Sequence, residues 1–138
     1  MQVIGIGTGG SQIATELAQH EAYDVMVIDT SFSKKVGHNN VHVFLFGGGK
    51  TTGATLRILQ RIKDKKITVH YVRPEKNFLS NKQKLRERMT CGILQELSRS
   101  GVFSKIYLYD ALEVLKGAEV SFLQKKDYVA STIAGMFH

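Results

Sequence analysis

The residues best suited to chemistry are Gly47, Gly48, Gly49, Lys50, Thr51 and Thr52, which follow the apolar run VHVFLF. Three glycines leave their backbone amides unshielded. A lysine and two threonines follow where a helix would begin, so free N–H groups, a positive dipole end, an ammonium and two hydroxyls converge on one spot. That is the outline of an anion site. A Walker-type phosphate loop is excluded, because its pattern needs a glycine five positions ahead of the Gly49-Lys50-Thr51 triplet and Phe44 stands there. Lys50 either reaches a phosphate as a point charge or fills the crevice and substitutes its own charge for the ligand's.

A second glycine turn, Gly7, Thr8, Gly9, Gly10, Ser11 and Gln12, follows the short apolar run VIGI. Ser11 is a candidate cap for the helix beyond it. Gly5, Gly7 and Gly10 also satisfy the G-x-G-x-x-G fingerprint of an NAD- or FAD-binding dinucleotide fold, with Asp29 as its ribose acid. A lone fingerprint is a weak signal, and it leaves the Gly47 turn without a task. The five histidines, His20, His38, His42, His70 and His138, lack helical metal-ligand spacing and suit structural or surface roles, so no metal site is expected. Cys91 is the only cysteine, which excludes an intrachain disulfide and a cysteine-rich zinc cluster and suits a reducing compartment.

Positioning two such turns together requires strands that end side by side. Residues 3–6 read as a first strand, and Ile13, Ala14 and Leu17 as the inward face of the helix after Gly10. Residues 23–28 read as a second strand, apolar on both faces, 30–40 as a short polar connection, and 41–46 as the third strand. The next helix has Leu56, Ile58, Leu59 and Ile62 inward and Arg57, Arg61, Lys63 and Lys65 outward. Residues 67–72 form a fourth strand stopped by Pro74. Residues 79–97 form a long helix with Leu85, Met89, Ile93 and Leu97 four apart and Gly101 past its end. A fifth strand over 105–109 precedes one or two helical turns over 110–116 and a closing helix over 122–137, with Val129, Ile133 and Phe137 on one face.

Strands alternating with helices predict one α/β domain, a three-layer Rossmann-like sandwich around a five-stranded parallel sheet in the order 2-1-3-4-5. Ligands of such sheets lie beyond the carboxyl ends of the strands where the winding reverses. That point falls between the first and third strands, so both glycine turns should border one crevice.

At 138 residues and 43% hydrophobic content, the chain can bury a core without disulfides or metals. It opens with no signal peptide and has no apolar run near the ~20 residues of a membrane helix, so a soluble, cytoplasmic protein with no membrane partner is expected, and Met1 reads as a true start. The formal net charge is +7, with the excess between Arg57 and Lys105. That suits a nucleotide, a nucleic acid or an acidic protein surface, against the plainer reading of a solvated basic face. Non-specific nucleic-acid binding would use Arg57, Arg61, Lys63, Lys65, Lys66, Arg73, Lys76, Lys82, Lys84, Arg86 and Arg88. Tyr71 and Phe78 are too few aromatics in that stretch for stacking on single strands.

Read in order, VIGIGTGGSQIATEL and VMVIDT resemble the opening of the tubulin/FtsZ family of GTPases, where a G-V-G-G-G-G-N-N-A turn precedes a strand ending in N-T-D. GGGKTTG resembles that family's G-G-G-T-G-T-G signature, ITVHYVRPEKNF the strand leading to its T-K-P-F turn, and CGILQEL its G-I-x-x-L helix. FLQKKDYVASTIAGM resembles the family's central helix, with Phe122, Asp127 and Gly135 on the same spacing. The resemblance spans nearly the whole chain. It implies a site for GTP or GDP, with Mg2+ as counter-ion. Gly7, Thr8, Gly9, Gly10, Ser11 and Gln12 would cradle the diphosphate from one side and Gly47, Gly48, Gly49, Lys50, Thr51 and Thr52 from the other. Asp127 would read the base, since a carboxylate accepts from both N1–H and the 2-amino group of guanine, and adenine has no such donor pair. In the plainer reading, Asp127 solvates a helix face.

The chain departs from the family at several points. Lys50 and Thr51 replace Thr and Gly of the signature, Lys126 replaces the guanine-reading Asn, and Leu85 stands where the family keeps an arginine, with Arg86 one place on. Residues 30–40 replace a helix, a strand, the loop that senses the third phosphate and a further helix. The N-x-D-x-x-D loop, which a neighbouring subunit inserts to position water on the third phosphate, does not occur in the sequence, nor does the second domain. The resemblance therefore implies a reduced guanine-nucleotide-binding module with no catalytic residues of its own. It would be a weak GTPase at most when alone, acting by assembly with itself or by capping a full-length relative. The alternative is a structural assembly protein without cofactor, for instance in a phage particle, located in the virion.

Overall fold

The structure, a computed structural model, describes residues 1–28, 39–48, 52–116 and 124–138. Strand β1 (Gln2–Ile6) runs into helix α1 (Gly7–Leu17), followed by β2 (Asp24–Ile28), β3 (Asn40–Phe46), α2 (Thr52–Arg61) and β4 (Lys66–Arg73). A single 3-10 turn (Lys76–Phe78) leads to α3 (Asn81–Arg99), β5 (Lys105–Asp110), α4 (Ala111–Leu115) and α5 (Lys125–Phe137). The strands form one parallel sheet in the order β2-β1-β3-β4-β5. This is the α/β, Rossmann-like architecture and strand order that the alternation of elements predicts.

Successive residues of a strand point to opposite faces, so each central strand feeds two cores. Ile4, Ile6, Val43, Leu45, Val69 and Tyr71 pack with Ile58, Leu59 and Ile62, and with Cys91 and Leu94 of α3. Val3, Phe44 and Val72 point the other way, against Ile13, Ala14 and Leu17 of α1 and Val129, Ala130 and Ile133 of α5. The sheet is thus sandwiched by α2 and α3 on one face and α1, α4 and α5 on the other. No helix among the described residues is long and apolar enough to cross a membrane.

One local expectation changes, and the roll of one helix is a new finding. The turn expected over Gly7 to Gly10, with Ser11 as cap, is absent: α1 begins at Gly7, and Ile6 is its N-cap. Gly7 has φ of 72°, so a single residue in the left-handed region makes the whole strand-to-helix reversal. In α3, Leu85, Met89 and Ile93 face solvent, 56%, 57% and 41% exposed, while Glu87, Thr90, Cys91 and Leu94 are buried. A four-residue step overshoots one helical turn by about 40°. A four-apart stripe therefore winds around the helix, and of the four only Leu97 packs against the core.

Beneath α5 lies a buried polar chain. His70 of β4 is 2% exposed, stacks on Phe44 at 4.2 Å, and shares hydrogen bonds with His42 Nδ1 through Nε2 and with the Tyr109 hydroxyl through Nδ1, each 2.9 Å. A neutral imidazole has one N–H, so one of these contacts is donated by His70 and the other accepted. Burial first, and the neighbouring His42 second, hold the His70 imidazole down to about 3.

Candidate functional site

The carboxyl ends of β1 and β3 are adjacent, with Ile6 beside Leu45 in register. Past Ile6, α1 opens on Gly7, Thr8, Gly9 and Gly10, with no side-chain cap and no acidic residue in its first turn. Past Phe46, the chain turns through Gly47 and Gly48. Gly47 N–H donates to the Val72 carbonyl at 2.8 Å, tying the turn to β4, and Gly48 has φ of 84°. The two glycine segments therefore leave neighbouring strands at the same edge of the sheet, where the winding reverses.

Packing alone accounts for several of these glycines. A side chain at Gly10 would collide with the Phe44 carbonyl oxygen, and one at Gly9 would stand 2.5 Å from the Phe46 ring. Gly47 sits against the Tyr71 hydroxyl and the Glu87 side chain. Close helix-to-strand approach is one established use of glycine in such turns, so bare backbone here serves the sheet whether or not it also serves a ligand.

Under the Gly47 turn lies an ion pair that sequence reasoning missed. Glu87 of α3, its side chain 7% exposed, takes hydrogen bonds from Arg73 Nε at 2.8 Å and from a terminal guanidinium nitrogen at 3.5 Å. These bonds are the main cause that raises the Arg73 guanidinium above its ordinary range. Tyr71 donates its hydroxyl to the Glu87 carbonyl at 3.3 Å, and burial, reinforced by Glu87, raises its phenol far above the usual range. Burial likewise pushes the Cys91 thiol up. Arg73 is ten places beyond Lys63 in a run of basic residues, where nothing local marks it as paired.

Ser11 and Gln12 lie in the second turn of α1, and Gln12 faces Asp127 in the first turn of α5. Gln12 Nε2–H donates to the Asp127 carboxylate, and one turn on Ser131 Oγ–H donates to Glu16 at 3.2 Å. Gln12 Oε1 is buried and has no hydrogen-bond partner among the described residues. Between the helices is an open groove of about 480 Å³ lined by Ser11, Gln12, Thr15, Glu16, Asp127 and Ser131 among others. The i, i+4 spacing of Gln12 with Glu16 and of Asp127 with Ser131 is the signal that would have marked the added residues.

Asp29, Gly49, Lys50, Thr51 and Phe122 lie outside the described residues, as do the side chains of Thr52 and Lys126. Thr52 is the first residue of α2. On the other face of the sheet, Arg57, Arg61 and Lys63 line a basic groove of about 590 Å³ floored by Leu97 and Val102. Among the described residues, no group of three or more His, Cys, Asp or Glu side chains is arranged to hold a metal. No family model matches this sequence, and no curated protein matches it.

Proposed function

We propose that this protein binds a guanine nucleotide, GTP or GDP, in the crevice at the ends of β1 and β3, with the base held between α1 and α5. The observation that carries this reading is the Gln12 to Asp127 contact. It braces an exposed carboxylate in the groove, and the two carboxylate oxygens keep lone pairs that can accept from a ligand. The Watson–Crick edge of guanine offers adjacent donors, N1–H and the 2-amino group, whereas adenine offers one donor and one acceptor. The uncapped, acid-free start of α1 adds a site for phosphate. Mg2+ would arrive with the phosphates.

Hydrolysis is assigned to a complex with a second protein rather than to the chain alone. Glu87 is buried and engaged by Arg73, and Asp127 lies in the groove proposed for the base, so neither is placed to activate water on the third phosphate. Extraction of nucleotide from the purified protein, with calorimetric titration of GTP, GDP and ATP, tests the binding. Guanine nucleotides are expected to bind about tenfold or more tightly than ATP, consistent with one charged hydrogen bond gained. No heat with any of the three, or equal affinity for all three, overturns the reading.

A second reading, a nucleotide-free assembly protein, draws on the packing contacts of Gly9, Gly10 and Gly47, which need no ligand to explain them. It predicts folded protein that carries no nucleotide and gives no heat.

A further inference from the structure

Helix α3 is built inside out. An ordinary surface helix buries its apolar stripe and shows polar residues to water. Here Glu87, Thr90, Cys91 and Leu94 face the sheet, and Leu85, Met89 and Ile93 face solvent. At about 100° per residue, Lys82, Leu85, Met89, Ile93 and Glu96 fall within about 80° of arc, so they share one face of the helix. Lys82 is exposed, and the Glu96 side chain is 68% exposed, paired among the described residues with Arg99 of the same helix at 3.1 Å. An exposed pair of that kind is weak and readily exchanged.

The spacings along this ridge are three, four, four and three, a palindrome centred on Met89. Its middle is apolar, one end is a cation and the other a carboxylate. Such a ridge is complementary to itself when reversed: Met89 meets Met89, Leu85 meets Ile93, and Lys82 meets Glu96, each pair occurring on both sides of the centre. Gly92 flanks the ridge with open space where a side chain would be, so a second backbone can come close. A partner of uniform negative charge would match Lys82 but oppose Glu96, whereas a second copy satisfies both ends.

We propose that the outer face of α3 is an isologous interface on which a second copy of this chain packs its own α3 antiparallel, about a two-fold axis at Met89. The helix has 19 residues and is about 28 Å long. One helix pair of that length gives a contact at the small end of specific interfaces, the class of weak, reversible associations.

Sedimentation velocity of the whole protein across the micromolar range tests this, with circular dichroism confirming that each variant is folded. The expected result is a reversible dimer. Met89→Lys places like charges across the axis and gives a monomer. Lys82→Glu and Glu96→Lys each weaken association about tenfold or more, because each converts two attractive contacts to repulsive ones. The double variant Lys82→Glu with Glu96→Lys restores wild-type affinity. A wild-type monomer throughout, a dimer indifferent to Met89→Lys, or a double variant no tighter than the singles overturns the proposal. Nucleotide titration is independent of all these outcomes, so this interface and the proposed ligand site stand or fall separately.

Discussion

Gln12 and Asp127, 115 positions apart, are joined by a side-chain hydrogen bond, and Glu16 and Ser131, at the same separation, form the next rung. Equal separations mean that α1 and α5 run parallel, one turn of each advancing with one turn of the other. The proposed base site is thus a groove with two walls held in register. Asp127→Ala is expected to weaken guanine-nucleotide binding about tenfold or more, and Asp127→Asn to abolish the preference over ATP, because an amide presents a donor to a donor. Asp127 is exposed, so unfolding free energy should move by less than about 0.5 kcal/mol. Calorimetric titration and urea denaturation of the same samples separate the two effects.

Gly10 and Gly135 are both helical glycines with opposite surroundings. A side chain at Gly10 meets the Phe44 backbone, which cannot move without disturbing β3, while one at Gly135 meets nothing within 4 Å. Gly10→Ala is expected to destabilise by about 1–3 kcal/mol, and Gly135→Ala to stabilise by about 0.5–1 kcal/mol, the ordinary gain of alanine over glycine inside a helix. Denaturation midpoints at constant m-value measure both.

Arg73 and Glu87 should be unequal under mutation. Arg73 is 40% exposed and Glu87 is 7% exposed at the side chain. Removing Arg73 strands a buried carboxylate, whereas removing the charge of Glu87 leaves a cation that water reaches. Arg73→Met is therefore expected to cost about 2–3 kcal/mol and Glu87→Gln about 1–2 kcal/mol. A larger loss for Glu87→Gln in urea denaturation would contradict the asymmetry.

His70 makes stability depend on pH in one direction. Its imidazole is lowered to about 3 in the folded state, mainly by burial and then by His42, against 6.5 when the chain is unfolded. The unfolded state therefore binds more protons between those values. The His70 contribution is fully present above pH 6.5 and is lost as pH falls toward 3, by at most about 1.4 kcal/mol per pH unit. The lowered His42 acts in the same sense. Stability measured at pH 7.5, 6 and 5 in urea should decline, and His70→Phe should flatten that slope even where it lowers stability overall.

Much of the fold was legible along the chain. Ile13, Ala14 and Leu17, or Val129 and Ile133, recur at helical spacing, and all five are buried against Phe44 and Val72. Strand order followed as well, since alternating elements with short connections leave few ways to wind a parallel sheet. These features rest on the period of local structure, which neighbours a few positions apart determine. The start of α1 at Gly7 instead of after Gly10 was not legible, because a one-residue reversal depends on a φ angle that several sequences permit. The outward turn of Leu85, Met89 and Ile93 was hidden too, because hydrophobic spacing shows which residues share a stripe but not which way the helix is rolled on its sheet. The pairing of Gln12 with Asp127, of Arg73 with Glu87 and of His70 with Tyr109 belongs to the tertiary structure alone. Each joins different elements, and only the closing of the sheet and its covering helices brings such residues within hydrogen-bond reach.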